Sequence, residues 1–277
     1  MKLPTLWRTS HGINQRVIDS AKKGTGFPIR DTELLSGQPA HTPAISYGIL
    51  RGTSAAYAQA QNLGLDWYEI DNGYFNRGHF SGFYRVSRNN LACRYNAKIS
   101  SKLSYDRWRK LGKVIRPWQH NPDGHILVCP PTSFIESFYG MEEDEWEKQT
   151  VKKLASFGNS VKVRKKDSSD IPLSNDLRNC KCVITFNSNV GIDALLEGVP
   201  VVTSEHHPIQ SWNNLTIDNF SQKNLYEADR LSLFKYLSHF QYTLEEFERP
   251  KTWRDIFNLL GSSVDIPGFY SVNGGSL

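Results

Sequence analysis

The stretch CVITFNSNVGIDALLEGVPVV, residues 182–202, constrains the fold more than any other part of the chain. Residues 182–186 are apolar or β-favouring, too few for a helix, and they end at the polar triplet Asn187-Ser188-Asn189. A helix-length segment, 190–197, follows at once and stops at Gly198; a second apolar run, 199–203, comes directly after it. Strand, short turn, helix, glycine, strand is the pattern of a parallel βαβ crossover, whose strands are buried on both faces.

The same alternation recurs. Residues 44–50 (AISYGIL) form an apolar run, Arg51-Gly52 a turn, and Thr53 or Ser54 a cap for an alanine-rich helix to residue 62; Gly64 ends it and residues 65–70 (LDWYEI) form the next strand, before Asp71-Asn72-Gly73. Later, residues 125–129 (HILVC) read as a strand, 141–157 as a charged amphipathic helix halted by Gly158, 160–164 as a strand and 172–179 as a short helix. Residues 231–260 read as two or three helices, 13–22 as a helix, 28–43 as loop or a short edge strand, and the arginine- and aromatic-rich run 74–121 as surface loops. The breaker-rich segment PWQHNPDG, 117–124, separates the two α/β series. The expected fold class is therefore α/β, with two Rossmann-like domains facing a cleft. A compact N-terminal domain spans residues 1–120, and a second spans 121–277, with its last helices crossing back to brace the first.

Composition narrows the class. At 277 residues with 39% hydrophobic and 22% charged, the chain has ordinary globular character, and no apolar run reaches the length of a membrane span. Residues 1–14 are polar and lack the apolar stretch of a secretion signal, so the expected compartment is the cytoplasm. The net charge of +5 favours an anionic partner such as a nucleotide diphosphate, a nucleic acid or an acidic glycan. Cys93, Cys129, Cys180 and Cys182 form no CxxC pair and read as buried free thiols. Glu205, His206 and His207 follow the strand 199–203, but adjacent side chains on an extended chain point apart, so no metal is expected there.

In open α/β sheets, ligands sit outside the carboxyl ends of the strands, and that rule selects residues. Asn187, Ser188 and Asn189 place amides and a hydroxyl beside the first N–H groups of a helix, an arrangement suited to an anion, or else an ordinary capped turn. Asp193, in the first turns of that helix, can reach a ribose or sugar hydroxyl. Arg51 and Thr53 sit at a strand end before a helix, where a phosphate can bind or where a plain structural turn suffices. Asp71 follows a strand and suits a general base, and Glu69, two residues earlier, shares its face and is the second candidate. Asp71 can equally be an Asx-turn residue ahead of Gly73. His11 is a further candidate base, and Arg85 and Arg88 belong to the arginine and aromatic run that can contact phosphates, with stacking on a flipped base.

Residues 182–202 resemble the C-terminal donor half of GT-B glycosyltransferases, particularly capsule-polysaccharide and Kdo-transferase-like proteins. In these a strand ends in a serine-rich turn, a helix carries an acidic residue, and Gly-x-Pro-Val-Val follows; here those features are 187–189, Asp193 and 198–202. The family's helix-borne glutamate is Asp193 here, and its His-Pro before the donor phosphates is replaced by Arg164, Lys165 and Lys166 at the end of SVKVRKK, 160–166. Glu205 and His206 then line the donor nucleotide pocket. The strings ISYGILRGT, WYEIDNGYF, FYRVSRNN and LSHFQYTLEEFERPKTW resemble compact glycosyltransferase-like proteins of phages and bacteria.

The resemblance implies a metal-independent transferase that uses a nucleotide sugar, with UDP the expected nucleotide, and no other cofactor. The acceptor is a hydroxymethylated base in phage DNA, with the enzyme then in the host cytoplasm, or a surface polysaccharide. A non-catalytic glycan- or nucleic-acid-binding protein and a sugar-nucleotide epimerase or hydrolase on the same fold are the rival readings.

Overall fold

The computed structural model describes residues 3–34, 41–78, 80–166, 171–220 and 225–267. The chain forms two compact units, one made of residues 1–90 and 240–277 and the other of residues 91–239.

The first unit opens with β1 (Thr5–Arg8), which runs into α1 (Gly12–Thr25) and on to β2 (Ile29–Asp31) and β3 (Ala44–Tyr47). The helix buries Val17, Ile18 and Ala21, each side chain contributing about 1–3 kcal/mol, and it ends at Gly26 in the left-handed conformation. Next come α2 (Thr53–Asn62), β4 (Trp67–Asn72) and the antiparallel β5 (Tyr84–Arg88). The α2 N-cap is Gly52, and the Thr53 hydroxyl donates back to the Leu50 carbonyl, 2.8 Å, instead of capping the helix.

The chain then enters the second unit. Residues 91–121, expected as loops, contain α3 (Ala97–Lys102) and α4 (Asp106–Lys110). After β6 (His125–Cys129) comes α5 (Ser133–Phe138), and the single helix expected over 141–157 is instead a turn with Asp144 at φ 58° and α6 (Glu145–Leu154) followed by one 3₁₀ turn. Next are β7 (Val161–Val163), α7 (Leu173–Asp176), β8 (Cys180–Thr185), α8 (Val190–Leu196), β9 (Val201–Thr203), α9 (Gln210–Asn213) and α10 (Arg230–Ser238). The chain returns to the first unit through β10 (Gln241–Tyr242), α11 (Leu244–Phe247) and α12 (Pro250–Leu259).

The first sheet has the order β10-β5-β4-β3-β1-β2; its members β2, β1, β3 and β4 are parallel, while β5 is antiparallel to both neighbours. Its β3-α2-β4 unit was legible in the sequence; β1, in a segment read only as polar, was not, and of the antiparallel edge β5 lies in the run expected as loops and β10 in the run expected as helices. Alternation splits its residues between faces. Tyr68, Ile70, Tyr84 and Val86 join Val17, Ile18, Phe247, Trp253 and Phe257 in one core. Trp67, Glu69, Asp71, Arg85 and Ser87 alternate with those residues and occupy the other face, where the Trp67 ring lies 4.7 Å from Tyr57 of α2. Gly24 lets α1 meet the C-terminal return, because a Cβ there would lie 2.0 Å from the Phe247 carbonyl and 2.8 Å from the Trp253 ring.

The second sheet, β7-β6-β8-β9, is wholly parallel. Ile126, Val128, Cys182, Ile184 and Val202 pack with Leu154 and Phe220 on one side of it. The unit limits differ from the expected boundary at residue 120 for a local reason. Arg116 N–H donates to the Leu196 carbonyl, 2.8 Å, and Gln119 N–H to the Gly198 carbonyl, 2.8 Å, so the breaker-rich segment is stitched to the end of α8. Upstream, Trp108 stacks on Phe234 of α10 at 5.2 Å.

Candidate active site

Each sheet has a point where the strand order reverses. In the second unit it lies between β6 and β8, whose connections leave toward opposite edges. Thr185 at the end of β8 ties the two strands together, its hydroxyl donating to the Cys129 carbonyl, 2.8 Å, and accepting from Ser188 N–H, 3.2 Å. The turn after β8 is occupied by its own hydrogen bonds. Val190 N–H donates to the Ser188 hydroxyl at 3.2 Å, Gly191 N–H to the Ser188 carbonyl at 3.1 Å, and Ile192 N–H to the Asn189 carbonyl at 3.0 Å. The first helical amides, expected to face an anion, are therefore engaged within the turn, and an anion there would have to displace these bonds. The side chains of Asn187, Ser188, Asn189 and Asp193 remain partly accessible. Gly191 admits the side chains of Val201, Ile209 and His207, which a Cβ would meet at 3.2–3.4 Å, so its small size serves packing against α8.

The basic residues at the end of β7 have carboxylate partners. Arg164, with Lys162, pairs with Asp176, which is 1% exposed, and also donates to the Ile171 carbonyl at 2.9 Å. Lys165 pairs with Asp144 at 2.9 Å and Glu147 at 3.1 Å; these hydrogen bonds hold the Asp144 carboxyl below its ordinary range and raise the ammonium. Lys166 is exposed. The expectation that this strand end offers uncommitted cations is thus corrected for Arg164 and Lys165, since nearby acids neutralise both.

After β9, the two histidines diverge. His207 is buried; its Nδ1 accepts from Ile209 N–H at 3.1 Å, which leaves Nε2 to donate to the Ser188 carbonyl at 3.1 Å and so fasten the β8 turn to the β9 loop. His206 lies against Tyr139, ring centroids 4.1 Å apart, and near Phe186 at 5.2 Å; burial lowers its pKa, so the ring is neutral at pH 7. Glu205 is exposed, 3.6 Å from His206. Trp146 adds an edge contact to Phe186 at 5.9 Å. This aromatic group draws from α5, α6, β8 and β9, and its members stand too far apart in sequence for spacing to reveal it.

In the first unit the strand order reverses between β1 and β3. Asn14 bridges the two strand ends, accepting from Thr9 N–H at 2.8 Å and donating to the Tyr47 carbonyl at 3.2 Å. His11 begins α1 as its N-cap residue and is exposed. Arg51 is exposed at φ 58°, and its carbonyl accepts from Thr32.

The β4 carboxylates Glu69 and Asp71 share one arginine. Asp71 lies in the strand rather than after it, because β4 runs two residues beyond its expected end. Arg85 is its direct partner across the β4–β5 ladder and donates to Asp71 Oδ2 at 2.7 Å and to the Asn72 carbonyl at 2.9 Å. The same guanidinium lies 3.9 Å from Glu69 Oε2, which is buried and has no hydrogen-bond partner among the described residues. Burial first, and then the Asp71 charge, raise the Glu69 carboxyl well above its ordinary range, against the pull of Arg85. The pair thus divides into Glu69, 3% exposed and pushed by burial toward its neutral form, and Asp71, 31% exposed and held by Arg85. This corrects two readings: Arg85 is an internal partner rather than a free phosphate ligand, and Glu69 is sealed from a bulky acceptor. Arg88 likewise turns inward, to Asp66 at 2.8 Å and to the Leu260 and Gly261 carbonyls. The sequence signal for Arg85 was its antiparallel register opposite Asp71, which becomes visible only once β5 is recognised as a strand.

The four cysteines are buried free thiols. No helix among the described residues is long and apolar enough to cross a membrane.

Two α/β units, each with its strand-order reversal, give the chain a GT-B-like fold. A family model for capsule polysaccharide biosynthesis proteins matches residues 143–244. Among solved structures, the β-Kdo 2,7-transferase of Thermosulfurimonas dismutans KpsC shares 12% identity at a TM-score of 0.50, over 94% of this chain and 99% of that one. The β-Kdo 2,4-transferase of the same protein shares 12% identity at a TM-score of 0.48, over 92% and 97%. No curated protein matches the chain.

Proposed function

We propose that the protein is a glycosyltransferase that moves a sugar from a nucleotide-sugar donor to a hydroxyl of a surface polysaccharide. The observation that carries this reading is the divided acid pair on β4, because one accessible carboxylate oriented by a buried arginine, beside a buried carboxyl pushed toward its neutral form, suits proton transfer from an acceptor hydroxyl. In the proposed step the acceptor oxygen attacks the anomeric carbon and its proton passes to Asp71. The bond from that carbon to the donor phosphate oxygen breaks, and the nucleotide leaves with the electron pair. Asp71 is the catalytic residue. Arg85 positions it, and Glu69 keeps a second negative charge away from the site.

Donor binding falls to the second unit, at the carboxyl ends of β6, β8 and β9. There Asn187, Ser188, Asn189, Asp193 and Lys166 offer polar contacts to phosphate and sugar, while His206 with Tyr139 offers an aromatic surface to a base. Arg164 and Lys165 act through the acidic residues they order. A polysaccharide acceptor is preferred to a DNA base. The family match and the fold neighbours are capsule and Kdo proteins, and Arg85, Arg88, Arg107 and Arg116 of the basic run are bound to partners of this chain.

The test is a thermal-shift panel of UDP-, GDP-, CMP- and ADP-linked sugars, followed by turnover of the best donor by the wild type and Asp71→Asn. The variant is expected to bind donor normally and to lose about 10²–10⁴-fold in turnover. Full turnover by Asp71→Asn would remove the base assignment, and a panel without any shift would remove the transferase reading.

A further inference from the structure

A groove of about 570 Å³ lies within the first unit, lined by Arg16, Asp19, Lys23, Phe80, Glu245 and Glu248 among others. Topology makes its position informative. β5 is antiparallel to β4 and β10 antiparallel to β5, so β10 runs in the direction of β4. The loop after β4, the segment after β10 and the start of α1 after β1 therefore all leave the same, carboxyl, edge of the sheet. Residues 80–82 of the first and 243–245 and 248 of the second line the groove, together with the middle and last turns of α1, from Arg16 to Lys23. In open α/β sheets that edge is where ligands bind; Asp71 stands near the same edge, with its side chain on the face opposite α1.

The walls are preformed. The β4–β5 loop is closed by Gly73 N–H to the Phe83 carbonyl, 2.7 Å, and Phe83 N–H to the Asn76 carbonyl, 3.1 Å, and it is pinned by Phe75 N–H donating to buried Gln241, 2.9 Å. A capping box between Thr243 and Glu246 fixes the opposite wall. The lining then selects the ligand. Phe80 is 67% exposed, and the Arg16 guanidinium sits 4.8 Å from its ring centre. Lys23 is committed to Glu248 at 2.7 Å, and Asp19 and Glu245 are exposed carboxylates. Three carboxylates against two cations disfavour a polyphosphate chain, whereas an open aromatic ring beside acidic acceptors matches the apolar face and hydroxyl rim of a sugar.

We propose that this groove is a saccharide-binding subsite in which Phe80 stacks on a sugar ring and Asp19 and Glu245 accept hydrogen bonds from its hydroxyls. It rests on the glycosyltransferase reading only in taking that saccharide to be part of the acceptor. The test is amide chemical-shift mapping of the full chain with maltotetraose, cellotetraose and chitotetraose, with inorganic phosphate and a single-stranded oligonucleotide run in parallel. At least one tetrasaccharide is expected to move the amides of residues 80–82 and 243–245. Phe80→Ala and Glu245→Gln, both at exposed positions, are each expected to weaken that binding about five- to tenfold. Asp71→Asn should leave it unchanged. Absence of these shifts with all three sugars, affinity indifferent to Phe80→Ala, or shifts caused by the oligonucleotide instead, would each overturn the proposal. Groove binding retained alongside full turnover by Asp71→Asn would leave the subsite standing and remove only the catalytic assignment.

Discussion

Replacing Glu69 by glutamine should stabilise the protein, and by more as the pH rises. Glu69 is 3% exposed, and burial together with the Asp71 charge raises its carboxyl well above the ordinary value of 4.5. The native state therefore retains a proton that the unfolded chain has released. With one more proton bound to the folded state, stability falls with increasing pH by about 1.4 kcal/mol per unit from the unfolded pKa up to the folded one, where the loss is complete. Glutamine keeps the shape and removes the titration, so the stability gap between variant and wild type should widen as the pH rises above the unfolded value, by up to about 1.4 kcal/mol per unit, and level off where the folded group ionises. Urea denaturation of both proteins at pH 5, 6 and 7 measures this, because comparison at equal pH cancels the other titrating groups. A gap that stays constant from pH 5 to 7 would show that the attraction of Arg85 outweighs burial and that Glu69 is ionised in the fold. The divided acid pair would then be refuted.

Other outcomes follow from the same structure. Gly198→Ala combines a left-handed backbone, φ 83°, with a Cβ 1.9 Å from the Pro117 carbonyl, so it should destabilise by at least about 2 kcal/mol and loosen the 116–119 segment, measurable by denaturation and amide exchange. The four buried thiols should resist a thiol reagent in the native protein and react together on unfolding; burial pushes Cys129 and Cys180 up to about 12, so raising the pH to 9 should not expose them. His207→Ala removes the bond that fastens the β9 loop to the β8 turn and a second one within the β9 loop, and should cost about 1–3 kcal/mol while weakening donor binding.

The parallel strands and crossover helices were legible in residues 44–72 and 182–203 because a buried βαβ unit needs apolar runs of fixed length punctuated by caps and glycine, and those are local requirements. The same rule placed Asp71, Glu69 and the 187–189 turn at strand ends, and alternation put the two acids on one face. The roles of the surrounding charges were not legible. Arg85, Arg88, Arg164 and Lys165 look like surface cations in sequence, yet each meets an acid on another strand or helix, and which acid depends on register and on chain segments brought together by folding. Local pattern thus determined that this chain builds doubly wound α/β units with acids and small polar residues at their ligand-binding edge. Only the tertiary structure decided that β10 extends the first sheet, that Glu69 is sealed while Asp71 is partly exposed, and that a groove of about 570 Å³ forms along α1. Burial, pairing and cavity shape arise from contacts distant in sequence, and no periodicity encodes those.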